Sequence, residues 1–543
     1  MTSKTEAGNG QRRSPEIFRG ASVPHLSRRA AWLAVGVFLV ALVALAGTAN
    51  DALLCGDSAV YAAQIERGDF TQRTIHIAYY MMGYAFTRLL PIPINMSLNL
   101  MSAFLGAMSA ALISLMAYTT SGRHDLSLVA GGLLLTNHVF VLNAVSAEVY
   151  VPGTFLLLLA ALLWLHRRSP FAGAALGASF LVSPSAALTF PFFAVTRPRW
   201  RALLTLAGVA SLVVAVAVVP NLRDYLFGAR GLLNAAGDPV SYRTAVLKEG
   251  WEIVVGFFVC LPFVLSGLLR VLREKALRGL GVGLLATWAV TLVFGERYVD
   301  VPVQLPTYAL MCLVGALGFE AFARPHRVAR RAGHIWFPAA TSVVIAVVAA
   351  LATRAAGPRT DSLLFESPTV PMLTGVAASG LLYALAGTAI RRLPGSRPVA
   401  RRAIAWSTLA LLLGATGAFA YARTAHICGR LADYESSVLR LDRLARPGHI
   451  VVGRWGKGIL FDRYAIGGLS EERWINTEHM AGSWGEALQE AAEARWAEAL
   501  ASGREIWLLE SYPALERDLE EAGYVLELFG EVYRATRPPE EAS

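Results

Sequence analysis

Charge is what this 543-residue chain has least of: 16% of its residues are Asp, Glu, Lys or Arg, where a soluble globule carries about a quarter. Cysteine is nearly absent as well. Cys55, Cys260, Cys312 and Cys428 fall into no metal-ligand spacing, and free thiols are expected at Cys55 and Cys428, the two nearest a potentially oxidising side. Ionisable groups are also few in the middle of the apolar runs, where a proton or ion pathway would need them. What fills the space is apolar: 55% of residues are hydrophobic and the mean hydropathy is +0.48. Runs near twenty residues, long enough to cross a bilayer, recur from Ala31 to Ala422. A mainly soluble fold is excluded.

The net charge of +10 raises the question of nucleic acid, and its distribution answers it. Residues 425–543 carry 13 Lys+Arg against 21 Asp+Glu, a net of −8, so residues 1–424 hold +18. The positive excess lies at the ends of apolar runs, where membrane orientation and anionic lipid explain it, and no nucleic-acid partner is expected. Arg12, Arg13, Arg19, Arg28 and Arg29 precede the first run with no convincing cleavage site after it. The expectation is a cytoplasmic tail over 1–30 and an uncleaved signal anchor.

Crossings are expected at about Ala31–Gly47, Asn95–Tyr118, Leu126–Val145, Val151–Leu165, Ala202–Val219, Trp251–Leu269, Leu280–Phe294, Val303–Ala323, Ile335–Leu351, Met372–Ile390 and Ala403–Tyr421. Residues His76 to Leu90 are apolar but short and are ended by Pro91 and Pro93, so an interfacial helix is expected there. Phe171–Val195 is long enough for one span, yet Arg167/Arg168 and Arg197/Arg199/Arg201 flank it on both sides. Ser183-Pro184-Ser185 interrupts its middle, and Pro184 both lacks a donor and disfavours helix just before it. Two half-helices turning there keep both basic ends on one side, a device tolerated where helices surround it. The total becomes thirteen, the loops 270–278, 324–331 and 391–402 fall inside, and the acidic C-terminal part falls outside.

The expected organisation is therefore a membrane domain over 31–424 and a small non-cytoplasmic α/β domain over 425–543. In the latter, His449–Gly453 and Glu505–Leu509 read as strands, Pro513–Ala522 as helix and Tyr524–Phe529 as a strand. Gly453, Gly456 and Gly458 lack the full dinucleotide spacing and read as a turn or surface loop. The arginine-rich, Ala/Gly-rich composition points to a GC-rich bacterium, and the inner membrane is the expected location.

Two carboxylates stand out. Asp57, in Gly56-Asp57-Ser58, follows the first span closely, with Tyr61 four residues on and then Arg73, His76, Tyr79 and Tyr80. It fits either a helix cap or a carboxylate held at headgroup level. Glu148, in Ala147-Glu148-Val149-Tyr150, stands at a helix start, where an anion is favoured and where a plain cap is again the simpler reading.

Asp57-Ser58, His76 with Tyr79/Tyr80, and Ala147-Glu148-Val149-Tyr150 follow the order seen in the integral-membrane glycosyltransferases of the C-type fold. The chain resembles that group, especially the bacterial family related to protein O-mannosyltransferases, in detail over about 31–220. It departs from the family pattern at His76-Ile77-Ala78-Tyr79-Tyr80, where His-Pro-Pro-Gly-Tyr is usual, and at Ser183-Pro184, where a His is frequent.

The resemblance implies a polytopic α-helical membrane protein of the C-type glycosyltransferase fold, with about 13 membrane helices counting one short hairpin. It implies a polyprenyl-phosphate sugar as donor, an inverting transfer to a hydroxyl of a protein, glycan or lipid, and membrane lipid as a partner. Asp57 would be the general base and Glu148 a supporting catalytic carboxylate. Arg73, His76, Arg243 and Arg297 would be the candidates for the donor phosphate, and Tyr61, Tyr79, Tyr80 and Tyr150 would line the pocket. No cofactor and no metal are expected, although Asp57 and Glu148 have the chemistry to share a divalent ion. Two rival classes fit parts of the pattern: a secondary transporter, because broken helices mark transport sites too, and a membrane-anchored envelope assembly protein.

Overall fold

The computed structural model describes residues 27–49, 57–68, 76–196, 199–219, 252–294, 304–324, 333–356, 370–393, 397–444, 448–453, 474–480, 486–509, 511–529 and 532–538. Helices dominate. The first half holds α1 (Arg28–Ala46), α2 (Asp57–Arg67), α3 (Ile77–Leu89), α4 (Ile94–Ser121), α5 (His124–Thr136), α6 (His138–Ala144) and α7 (Tyr150–Leu165). Then come α8 (Ser169–Val182), a 3-10 turn (Pro184–Thr189), α9 (Phe190–Thr196) and α10 (Trp200–Val218). The second half continues with α11 (Glu252–Arg273), α12 (Arg278–Phe294), α13 (Leu305–Ala323), α14 (Gly333–Ala356), α15 (Val370–Arg392) and α16 (Pro398–Leu444).

Among the described residues, six helices are long and apolar enough to cross a membrane alone, or seven if α5 and α6 form one span. Tyr150–Leu165, Ser169–Val182, Pro184–Thr196, Arg278–Val293 and Trp336–Val348 are shorter apolar helices. The single crossing expected over Leu126–Val145 is instead two helices meeting at 71°. Asn137 causes the break: its side-chain oxygen accepts from the Phe140 amide at 3.0 Å and caps α6, in place of continuing α5. The last crossing also differs, because α16 does not end near Tyr421 but runs on to Leu444, 47 residues and about 70 Å of helix in all.

Phe171–Val195 breaks at Ser183-Pro184, as its composition predicts, and turns back. Both ends of the hairpin lie at one end of the bundle: α8 starts four residues after the close of α7, and the Trp164 indole near that close donates to Thr196 Oγ1 at 3.3 Å. Glycines let these short helices seat closely. A Cβ on Gly173 or Gly177 would reach within 2.6 Å of the Leu206 carbonyl or 2.7 Å of the Ala210 carbonyl on α10. Helices α11 and α13 touch backbone to backbone, since a Cβ on Gly318 would come 1.9 Å from the Phe263 carbonyl and one on Gly267 1.8 Å from that of Val314.

At the end of the bundle where α4, α11 and α13 close, Arg123 pairs with Asp125 and Glu320, and Arg270 pairs with Glu320 and Glu274, both at 2.8 Å. Four helices are thereby pinned where basic loops leave the bundle.

Beyond α16 the chain forms β1 (Ile450–Gly453), β2 (Trp474–Asn476), α17 (Thr477–Met480), α18 (Glu486–Ala501), β3 (Ile506–Leu508), α19 (Pro513–Glu521), β4 (Val525–Phe529) and β5 (Val532–Thr536). The sheet order is β2-β1-β3-β5-β4, parallel among the first three strands and antiparallel across β3-β5-β4. Ile450, Val452, Ile506 and Leu508 pack with Trp496, Ala499, Leu515 and Leu519 of the covering helices. Strands β2 and β5 and helix α18 add to the expected strand–helix–strand core. Gly453 closes β1 against Leu509, where a Cβ would come within 2.9 Å of its side chain.

Candidate active site at one end of the α4–α7 bundle

The local sequence pins the Glu148 loop firmly. Ala147 and Val149 are fully buried on either side of it. The Ser146 hydroxyl donates back to the Leu142 carbonyl at 2.7 Å, and the Glu148 amide donates to the Ser146 carbonyl at 2.8 Å. Val149 then caps α7, so Glu148 stands just before a 16-residue helix whose free amides favour an anion. Its side chain is 8% exposed.

Asp57 is the first residue of α2, and Ser58 follows it. The fully buried Ser58 hydroxyl donates to Glu148 Oε1 at 2.6 Å, a charge-assisted bond between segments 90 residues apart. The start of α2, which carries Asp57, and the Glu148 loop therefore meet. Ser58, which stood in the sequence only as the second member of the Asp-Ser pair, is the residue that joins them.

Tyrosines close the same space. Tyr61 lies edge-on to His76 with centroids 5.6 Å apart, and is 5.0 Å from Tyr79 and 5.8 Å from Tyr80. All three phenols are buried. Burial first, then the charge of Glu148 and the neighbouring Tyr80, push the Tyr79 phenol well above the usual tyrosine range, so it stays protonated beside the carboxylate. Tyr150 opens α7 and is half-buried.

His76 Nδ1 lies 2.7 Å from the Val182 carbonyl, the last residue of α8. This ties the start of α3 to the tip of the hairpin. At that tip the hydroxyls of Ser183 and Ser185 share a hydrogen bond of 2.7 Å, and Ser183 sits against Gly153 in the first turn of α7. Ser179 also donates to the Gly153 carbonyl at 2.8 Å. The hairpin break, the His76 helix and the Glu148 loop thus form one assembly. Arg73, Arg243 and Arg297 lie outside the described residues. No group of three or more His, Cys, Asp or Glu with metal-binding proximity occurs among the described residues.

No protein-family model matches the chain, and no curated protein matches it. Solved structures do. ArnT from Cupriavidus metallidurans bound to undecaprenyl phosphate superposes with a TM-score of 0.56 at 14% identity, over 94% of this chain and 99% of that one. Its apo state gives 0.56 at 13% identity, over 95% and 100%. The Archaeoglobus fulgidus oligosaccharyltransferase in its apo form follows at 0.47 and 11%, over 94% and 75%. The chain has the C-type glycosyltransferase fold.

Proposed function

We propose that the protein transfers a monosaccharide from a polyprenyl-phosphate donor to the hydroxyl of a protein, glycan or lipid acceptor, with inversion, on the non-cytoplasmic membrane face. The observation that carries this reading is the buried Ser58–Glu148 bond, which joins the start of α2, with Asp57, to the Glu148 loop on the C-type fold. Asp57 takes the proton of the acceptor hydroxyl as that oxygen attacks the anomeric carbon, which requires it within about 2.6–3.2 Å or one water away. The bond from the anomeric carbon to the phosphate oxygen breaks, and the lipid phosphate leaves as a stable anion that needs cations and donors more than an acid. Arg73, His76, Arg243 and Arg297 are the proposed donors to it. Glu148 orients the Asp57 segment through Ser58, and the Tyr61, Tyr79, Tyr80 and Tyr150 rings line the pocket.

In this reading the chain lies in a bacterial inner membrane with its N-terminus cytoplasmic, thirteen crossings and the C-terminal sheet outside. The step needs no metal, so a chelator leaves turnover within about twofold, while Asp57→Asn lowers it by at least about 100-fold, the ordinary contribution of a positioned base. Glu148→Gln lowers it less. Purified Asp57→Asn protein turning over a polyprenyl-phosphate sugar at the normal rate would remove Asp57 from the mechanism.

A further inference from the structure

Helix α4 begins with a polar stripe that the reaction described above does not use. Asn95, Asn99 and Ser102 are spaced i, i+4 and i+7, which puts them on one face over a rise of about 10 Å. All three are buried: Asn95 is 9% exposed, and Asn99 and Ser102 are fully enclosed. The next residue on that face is Gly106, which fixes where the face looks. A Cβ on Gly106 would touch Ala144 at 2.9 Å and Val151 at 3.6 Å, the two residues that bracket the Glu148 loop, and Leu45 at 3.1 Å, near the end of the helix that leads to Asp57. One to three turns nearer the start of α4, the stripe continues the face on which Gly106 meets Ala144, Val151 and Leu45.

The second observation is an energetic one. The Ser102 hydroxyl is buried and finds no hydrogen-bond partner among the described residues, and the same holds for the Tyr79 hydroxyl beside Glu148. Buried hydroxyls left unpaired oppose folding and persist where a ligand or water meets them. The groups on the stripe are chemically uniform. Each amide or hydroxyl both donates and accepts, and none is charged. A sugar hydroxyl has the same double character, whereas a phosphate or carboxylate would call for a cation.

We infer that Asn95, Asn99 and Ser102 form the subsite that holds the hydroxyls of the transferred sugar, and that it selects a neutral, hydroxyl-rich ring. The assignment rests on the transferase reading above and extends it to the donor's specificity. The tyrosine rings of α2 and α3 cover the less polar side of the sugar, and the stripe faces its hydroxyls.

The test separates sugar from phosphate. The full chain in lipid nanodiscs is titrated with bare undecaprenyl phosphate and with undecaprenyl-phosphate glucose and mannose. Ser102→Ala and Asn99→Ser are expected to weaken the better sugar-loaded lipid by about tenfold or more and to leave the bare lipid within about twofold. Ser102→Ala removes an unpartnered hydroxyl, so the ligand-free protein should melt no lower than wild type, which keeps the variant informative about binding. Equal loss for both lipids, or no loss for either (the result if ordered water alone meets these groups), overturns the subsite. Wild-type protein that binds neither kind of lipid would bring down the transferase reading itself.

Discussion

Ser58 is the side chain on which the site turns. Its hydroxyl meets Glu148 in a buried place, where a hydrogen bond to a charged group contributes about 1.5–3 kcal/mol. Ser58→Ala leaves the carboxylate short of a donor and lets the Asp57 segment drift from it. The expected outcome is a fall in kcat/KM of about tenfold or more with KM for the donor little changed. A Ser58 that only supports the fold would lower the melting temperature and leave kcat/KM intact at low temperature. This residue was half legible: the Asp-Ser pair is visible in the chain, but its partner 90 positions away is not. Asp57, Glu148, His76 and the tyrosines could be picked out because polar and aromatic residues next to apolar runs stand in sharp contrast. Ser183 was visible only as part of a helix break, and the Asn95 stripe reads locally as an ordinary polar start to a span.

At the scale of elements, proline and glycine carry most of the specification. Pro184 breaks α8 from the returning arm, and Pro91 and Pro93 separate α3 from α4. Cysteines at Ser169, four residues after the close of α7, and at Thr196, bonded to Trp164 near that close, are expected to label from the same side of the membrane, and one at Gly56 from the other. Labelling of Ser169 and Thr196 from opposite sides would make Phe171–Val195 a single crossing. Glycine sets helix spacing. Gly318→Ala forces a methyl into the Phe263 carbonyl and should cost about 1–3 kcal/mol or more through displaced helices, read as a lower melting temperature in detergent. Gly414→Ala, with nothing near its Cβ position, should be neutral. The bend at Asn137 escaped the sequence reading because a single Asn in an apolar run is compatible with a straight helix. Only its bond to the Phe140 amide decides otherwise.

For the whole molecule, two chemical environments are joined by α16. The C-terminal sheet has its own ionic lock: Glu505 accepts from Arg534 at 2.8 Å and from the Trp507 indole at 2.7 Å, and faces His449 at 3.1 Å. Burial alone would raise the Glu505 carboxyl, but the Arg534 bond and the charges of His449 and Arg534 outweigh it and hold it below the usual glutamate range. A depressed carboxylate contributes stability that is present above its unfolded value, near 4.3, and is lost as pH falls through the folded one. The wild-type melting temperature should therefore drop on acidification from about pH 5 downward, and Glu505→Gln should lose part of that dependence. Identical acid profiles for the two proteins would show that Glu505 contributes nothing in this window.

The membrane class, the places of most helices, the hairpin break and four of the C-terminal elements were fixed by the sequence alone, because hydropathy, proline and charge act over a few residues or one helix length. Which loops meet was decided by tertiary structure. Ser58 reaches Glu148, His76 reaches Val182 and Gly106 meets Leu45, Ala144 and Val151 only once the helices have packed at the distances their glycines allow. Those contacts depend on the relative rotation and height of helices far apart in the chain, and no local pattern encodes either.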